Sequence, residues 1–306
     1  MDAMTTAATI NGVVIDDGFA EAFPMHGTAI QITAVSPKWA LEAARAMTGF
    51  ATSVIACGCE AGIDCELSAD ETRDGRPGVR VLLFAMDRKG LATQLATRLG
   101  QCVLTSPSSA CYADLVGEGR IDLGNAIRYF ADGWQISKRF ENQHFWRMPV
   151  MEGEFLVEAE TGYVSNGVGG GNLLFMAGSA AQALRSAEAA VEAMRRVPGV
   201  VMPFPGGIVR SGSKVGGKYK GMMASTNDAY CPTLKGVTRS ALGPDTGSVL
   251  EIVVDGLSSA AVADAMRVGL KAAVDLGPRE GASRIGAGNY GGNLGPHHYH
   301  LKDLLP

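Results

Sequence analysis

No apolar run in the sequence approaches the roughly 20 residues that a membrane-spanning helix needs, so no span is expected. Positive charge is not in excess. Twenty-seven Lys and Arg against 31 Asp and Glu leave a net charge of −4, which argues against nucleic acid or an anionic membrane as the main partner. The opening residues, MDAMTTAATI, carry neither a basic region nor a long apolar core. No signal peptide is read there, and the expectation is a cytoplasmic protein. Cysteine is scarce: six in 306 residues do not make a disulfide framework. Cys57, Cys59 and Cys65 in CGCEAGIDC miss the standard zinc spacings, and no second cluster answers them. Buried or loop thiols are the expectation. His297, His298 and His300 in GPHHYH read as a polar terminal strand or turn. No G-x-x-x-x-G-K-[ST] loop and no dinucleotide fingerprint is present, so neither a nucleotide nor a metal cofactor is expected.

Glycine, by contrast, is abundant at 40 residues. It clusters in GVGGGN (167–172), PFPGG (203–207), KVGGKYKG (214–221) and GAGNYGG (286–292). Such clusters suit tight turns and close backbone approach. The chain is 46% hydrophobic and long enough for two cores of about 150 residues each.

The sequence also repeats itself loosely. Residues 32–49, ITAVSPKWALEAARAMTG, read as strand, cap and helix, with Ser36 as N-cap and Pro37 at the first helical position. Residues 174–199 read the same way with Ser179 as cap. Each is followed by an apolar run expected to be a strand, ATSVIA (51–56) and VVMPF (200–204). VLLFAMD (81–87) then aligns without gaps onto VLEIVVD (249–255), each followed by a helix, roughly 88–99 and 259–275. QCVLTS and SRIGAGN are expected as the closing strands. The excursion of the first lobe is expected at 120–151. The fold class read from this is α+β: two similar ferredoxin-like (split βαβ) lobes from an internal duplication, 1–148 and 149–306.

One residue breaks the pattern. In SVLEIVVDG (248–256), Glu251 shares a strand face with Val249 and Val253, while Leu250, Ile252 and Val254 fill the other. The sister segment has Leu83 at the matching place. A bare carboxylate there is costly unless it is paired, protonated or lining a site. Departures from consistent patterning concentrate at functional sites. A solvent-facing position or an arginine partner is the alternative.

Many segments resemble the formylmethanofuran–tetrahydromethanopterin N-formyltransferase family. They include NGVVIDDGFAEAF (11–23), TGFATSVI (48–55), EAGIDCE (60–66), DGRPGV (74–79), PVMEGEFLVE (149–158), PFPGGIV (203–209), ASTNDAYCPT (224–233), EIVVDGL (251–257) and AGNYGGNLG (287–295). They run in order along most of the chain. The resemblance implies a two-lobed protein, a homotetramer or a subunit of a larger formyltransferase/hydrolase complex as in one-carbon-oxidising methylotrophs. It implies transfer of a formyl group between the amine of methanofuran (or an analogue) and N5 of tetrahydromethanopterin, both as substrates. It also implies that Glu251, opening the E-I-V-x-x-G-L stretch, is the catalytic residue.

Acyl transfer between two nitrogens needs an oxyanion stabiliser and a proton donor and acceptor. A glutamate among valines is expected to have a raised pKa and to act protonated. Ser225, Thr226, Asn227, Asp228 and Tyr230 form the densest polar cluster and are candidate binding or oxyanion groups, with a capped turn as the alternative. Asn289 and Tyr290 are candidates to meet a pterin, or else end a glycine-rich strand. Pro205, Gly206 and Gly207 read as a rigid loop shaping the cleft. Lys214, Lys218 and Lys220 are candidates to hold an acidic substrate tail, with a solvated basic loop as the alternative. Two rival functions are a non-catalytic scaffold subunit and an RNA-binding module. The second is disfavoured by the absent aromatic RNA-recognition motif and the negative charge.

Overall fold

The computed structural model describes residues 6–305, and the fold is α+β. Two compact units divide the chain: one takes the residues up to Pro24 together with those from Val168 onward, the other Met25–Gly167. Both divisions fall inside long strands, Phe19–Thr33 and Glu160–Ala177. The position 148/149 lies within the strand Gln143–Val150, which is hydrogen-bonded to Gly153–Glu158.

In the unit Met25–Gly167 four strands run in the order Ala110–Ala113, Phe19–Thr33, Gly78–Ala85, Glu60–Leu67, antiparallel to one another, and Gly153–Glu158 adds in parallel beside Ala110–Ala113. Two helices, Pro37–Thr48 and Arg88–Arg98, pack against one face of these strands. Ile30, Ile32, Val81 and Leu83 from the strands meet Ala44, Leu91 and Leu95 from the helices. Pro37 takes the first helical turn as read. Ser36 stands at the N-cap, but its side chain makes no capping bond. Two expected strands are helical. ATSVIA contains the short helix Val54–Cys57, started by the Ser53 hydroxyl and by Glu60 accepting the Val54 N–H at 3.0 Å. QCVLTS continues the Arg88–Arg98 helix as a turn, Leu99–Val103, that places Leu95, Leu99 and Val103 on one buried face. Short apolar runs do not distinguish buried strand from buried helix. The strand-rich stretch expected at 120–151 follows the last of the four strands: Gly119–Asp122, Ile136–Phe140 and Gln143–Val150 come after Ala110–Ala113.

In the other unit four strands run in the order Arg284–Gly286, Glu160–Ala177, Ser248–Gly256, Val200–Val201, antiparallel to one another, and Val13–Asp16 adds in parallel beside Arg284–Gly286. Pro203 ends the VVMPF strand early, since proline cannot donate to a ladder. Helices Ala180–Met194 and Ser259–Glu280 cover one face with Ala187, Val191, Met194, Met266 and Leu270 against Leu173, Phe175, Ile252 and Val254. Ser179 and Ser258 cap them, accepting from Gln182 and Ala261. The second helix outruns its expected end at 275 and kinks at Gly277 (φ 67°) before Pro278. Fully burying side chains of this size contributes about 1.5–3 kcal/mol each. The His297–His300 strand pairs with Phe19–Ala22. Among the described residues no three His, Cys, Asp or Glu side chains are placed to hold a metal, and no helix is long and apolar enough to cross a membrane.

Candidate active site

The Glu251 strand is central at its midpoint. On one side Glu251 pairs with Leu174. On the other its backbone exchanges two hydrogen bonds with Val209, N–H to O at 2.9 Å and O to N–H at 2.7 Å. Ile252 and Val254 enter the core under the helices, so alternation turns Glu251 to the opposite face. There its carboxyl lines a pocket with Leu174, Val209, Gly212, Asn227 and Tyr230. The pocket volume is about 50 Å³. That is room for a few waters or a one-carbon group, not for a pterin ring.

Burial pushes the Glu251 carboxyl up from 4.5 to about 7. The alternative of an arginine partner is not what the geometry gives: Arg210 lines the same pocket, yet desolvation alone accounts for the shift. Burial also raises the phenols of Tyr230 and Tyr290. For Tyr230 the charges of Asp16 and Glu251 add to this, and Arg284 opposes it; for Tyr290 the charges of Glu251 and Glu21 add, and the hydrogen bond to Ser213 opposes. Both phenols therefore stay neutral near the carboxyl at ordinary pH.

The chain segment between Val201 and Ser248 builds the rest of the site. It holds a small hairpin, Ser213–Val215 with Ala224–Thr226, and tight turns at Asp228–Tyr230 and Pro232–Leu234. Thr226, Asn227 and Tyr230 share the Glu251 pocket. Asn227 is fixed by its N–H to Gly212 O at 2.9 Å. The Ser225 hydroxyl is buried with no hydrogen-bond partner among the described residues, which makes it an available donor and acceptor beside the pocket. Asp228 is ion-paired with Lys214. That hydrogen bond holds its carboxyl below the usual range, and Lys218 adds to the effect. One member of the expected anion-binding lysines is thus already matched to a carboxylate of the polar cluster.

Tyr290 reaches the hairpin, its hydroxyl donating to Ser213 O at 3.3 Å. Asn289 accepts from the Gly291 N–H at 3.3 Å, a turn role. Pro205, Gly206 and Gly207 form a one-turn helix outside the pocket lining. A Cβ on Gly207 would lie 3.0 Å from Val191, so this loop seats against the Ala180–Met194 helix and delivers Val209 to the Glu251 edge. Gly212 was not distinguished by the sequence among so many glycines. A Cβ on it would fall 2.8 Å from Glu251 Oε2.

A larger cavity of about 900 Å³ lies in the unit Met25–Gly167, between Leu104–Ser109 and Pro149–Phe155. Its ionisable lining groups are Glu152 and Glu154. Glu152 accepts the Ser108 N–H at 2.7 Å, and Glu154 pairs with Arg147 at 3.0 Å. It carries none of the expected site residues, and its carboxylates are already matched.

Comparison with known proteins places the chain in a family. The family described as Formylmethanofuran-tetrahydromethanopterin formyltransferase matches residues 8–150, and that described as FTR, proximal lobe, matches 153–304. The Formylmethanofuran–tetrahydromethanopterin formyltransferase of Methylococcus capsulatus is 62% identical over 97% of this chain and 99% of its own. A relative from Methylorubrum extorquens, named as a subunit of the formyltransferase/hydrolase complex, is 60% identical over 97% of each. The structure of the formyltransferase/hydrolase complex from Methylorubrum extorquens with methylofuran contains a chain that superposes with a TM-score of 0.96, at 60% identity, over 98% of this chain and 99% of that one. The formyltransferase of Methanosarcina barkeri superposes with a TM-score of 0.91 at 42% identity, over 97% and 100%. With both family matches spanning nearly its whole length, the chain belongs to the formylmethanofuran-tetrahydromethanopterin formyltransferase family.

Proposed function

We propose that the chain transfers a formyl group between the amine of methanofuran, or an analogue, and N5 of tetrahydromethanopterin, with Glu251 as the acid. One nitrogen lone pair forms the new C–N bond while the C=O electrons move to oxygen. The protonated Glu251 carboxyl donates a hydrogen bond to that oxygen as charge develops. Collapse breaks the old C–N bond. The leaving nitrogen takes a proton from Glu251, which recovers one from the attacking nitrogen, so the cycle is proton-neutral. Tyr230, Thr226 and Asn227 bind around the reacting carbon. Ser225 supplies a further hydroxyl, and Asp228 keeps the hairpin in place through Lys214. Tyr290 and Asn289 face the pterin, and Pro205–Gly207 shape the approach.

The observation that carries the reading is a carboxyl held near neutrality in a pocket the size of a one-carbon group. Its test is formyl transfer from formylmethanofuran to tetrahydromethanopterin by the wild type and by Glu251→Gln, alone and with hydrolase subunits added. Loss of roughly 10²–10⁴-fold in the variant is expected. An undiminished Glu251→Gln would favour the non-catalytic scaffold instead.

The 60%-identical relative named as part of a complex supports the same placement for this chain, within a formyltransferase/hydrolase complex of one-carbon metabolism. Six free thiols suit a reducing, cytoplasmic compartment. The two lobes are further read as copies of one split βαβ plan, 1–148 and 149–306. The matching strand orders of the two units and the family matches that part between 150 and 153 support that reading.

A further inference from the structure

Glu21 sits in the middle of FAEAF, in the Phe19–Thr33 strand, and is 1% exposed. Among the described residues its carboxylate hydrogen-bonds to backbone N–H groups of a loop, and no guanidinium or ammonium pairs with it. Oε2 accepts the backbone N–H of Tyr290 at 2.7 Å and of Gly292 at 3.0 Å. Oε1 accepts the N–H of Gly295 at 3.1 Å and that of Leu294. Burial alone would raise its pKa, but these four bonds outweigh it and hold the group below the usual range, so it stays ionised.

The loop is shaped for this. Gly291 and Gly292 take φ of 80° and 75°, a left-handed turn that glycine adopts readily and that brings the Gly292 N–H onto the carboxylate already bound to Tyr290 N–H. A Cβ on Gly295 would fall 2.2 Å from Ala22 O, so the loop lies directly on the Glu21 strand. Its leading end is clamped by Asn172, which accepts the Gly288 N–H at 2.6 Å and donates to Gly288 O at 3.1 Å. Tyr290, the first residue bound by Glu21, then spans to Ser213 O. Gly212, the next residue back, faces the Glu251 carboxyl. A continuous path therefore runs from Glu21 through Tyr290 and the Gly212–Ser213 backbone to Glu251.

We propose that Glu21 is a positioning residue for formyl transfer: its carboxylate fixes the Tyr290–Gly295 loop so that the Tyr290 hydroxyl holds the Gly212–Ser213 backbone against the Glu251 carboxyl. This rests on the reading of Glu251 as the catalytic acid. Glu21→Gln keeps the size of the side chain but presents an NH₂ to two of the N–H donors.

The test uses the full chain with formylmethanofuran and tetrahydromethanopterin. In Glu21→Gln, amide hydrogen exchange is expected to accelerate at Tyr290, Gly292, Leu294 and Gly295, while the Ala180–Met194 helix keeps its protection. The kcat is expected to fall about tenfold or more, because small misplacements of a catalytic group are costly. Tyr290→Phe removes the last step of the path. Combined with Glu21→Gln it should add less than about twofold, since the two residues act in series. Independent, multiplying effects, or a wild-type kcat in Glu21→Gln, would overturn the proposal. Should Glu21→Gln fail to fold, Glu21→Asp keeps the charge with a shorter reach, and the same exchange and coupling results are expected at smaller size. Glu251→Gln run in parallel separates the two readings. If it is harmless, the acid role fails while the exchange result still reports the loop anchor. If it is damaging and Glu21→Gln is not, the Glu21 role alone fails.

Discussion

Gly212 and Glu251 are matched in shape: the place a Cβ would occupy on Gly212 lies 2.8 Å from Glu251 Oε2. Its contact is a carboxylate end that has to stay where it is, not a methyl group free to swing away. Gly212→Ala should therefore push the carboxyl off its position or shift the hairpin. A loss of about 10–100-fold in kcat is expected, with the melting temperature nearly unchanged. Steady-state kinetics of the folded variant decides it; a wild-type kcat would mean that the carboxyl has free play.

Activity should follow the protonated form of Glu251. With its pKa raised to about 7, the acid form dominates below that pH and is lost above it. The kcat/KM is expected to fall as pH rises through about 7. Tyr230 and Tyr290, the other titratable groups facing the carboxyl, are pushed upward by burial and do not contribute in this range. In Glu251→Gln the remaining rate should lose this limb. A wild-type profile flat from pH 6 to 8 would remove the titrating acid from the mechanism.

The same shift links stability to pH. Because the folded-state pKa lies above 4.5, the fold binds the Glu251 proton more tightly than the unfolded chain does. That contribution is fully present below about 4.5 and is lost as pH rises through about 7. Moving from 4.5 to about 7 corresponds to roughly 3 kcal/mol. Glu251→Gln does not titrate. Relative to the wild type, the variant should thus gain up to about 3 kcal/mol between pH 4 and pH 8. Urea titrations of both proteins at several pH values measure this; a pH-independent difference would contradict it.

The sequence made Glu251 legible because a charge in an apolar alternation has few physical excuses. Glu21 carries the same signal, a glutamate between alanines and phenylalanines in FAEAF, and the rule that singled out Glu251 applies to it equally. Its partners could not be read, because four backbone N–H groups some 270 residues away leave no side-chain pattern. The strands and helices around 32–48, 78–98, 174–194 and 248–275 were readable from alternation, from Ser179 and Ser258 as caps and from Pro37. QCVLTS was not, because its apolar residues serve a continuing helix face as well as a strand. The hairpin 213–226 escaped too: its role depends on Lys214 meeting Asp228 and on Gly212 lacking a side chain, and neither follows from periodicity.

The packing of the two helices over the Glu251 strand offers a test away from the chemistry. Gly269, in the Ser259–Glu280 helix, faces Met194 at the end of Ala180–Met194. A Cβ there would lie 2.3 Å from Met194 Cε and 3.0 Å from Cγ. Glycine costs a helix interior about 1 kcal/mol relative to alanine, so this position trades propensity for close approach. Gly269→Ala meets mainly the flexible end of Met194, which can move, and the two effects should nearly cancel. Gly269→Val adds two methyl groups and a β-branch, and should destabilise by about 1–3 kcal/mol. Met194→Ala alone leaves a cavity and should cost about 2–5 kcal/mol. Placed together, the valine fills part of the space the methionine vacates. The double variant should then be more stable than the sum of the single changes predicts, by about 0.5–3 kcal/mol. Thermal or urea unfolding of the four proteins gives the coupling directly; additive losses would mean that the helices separate instead of repacking at this contact.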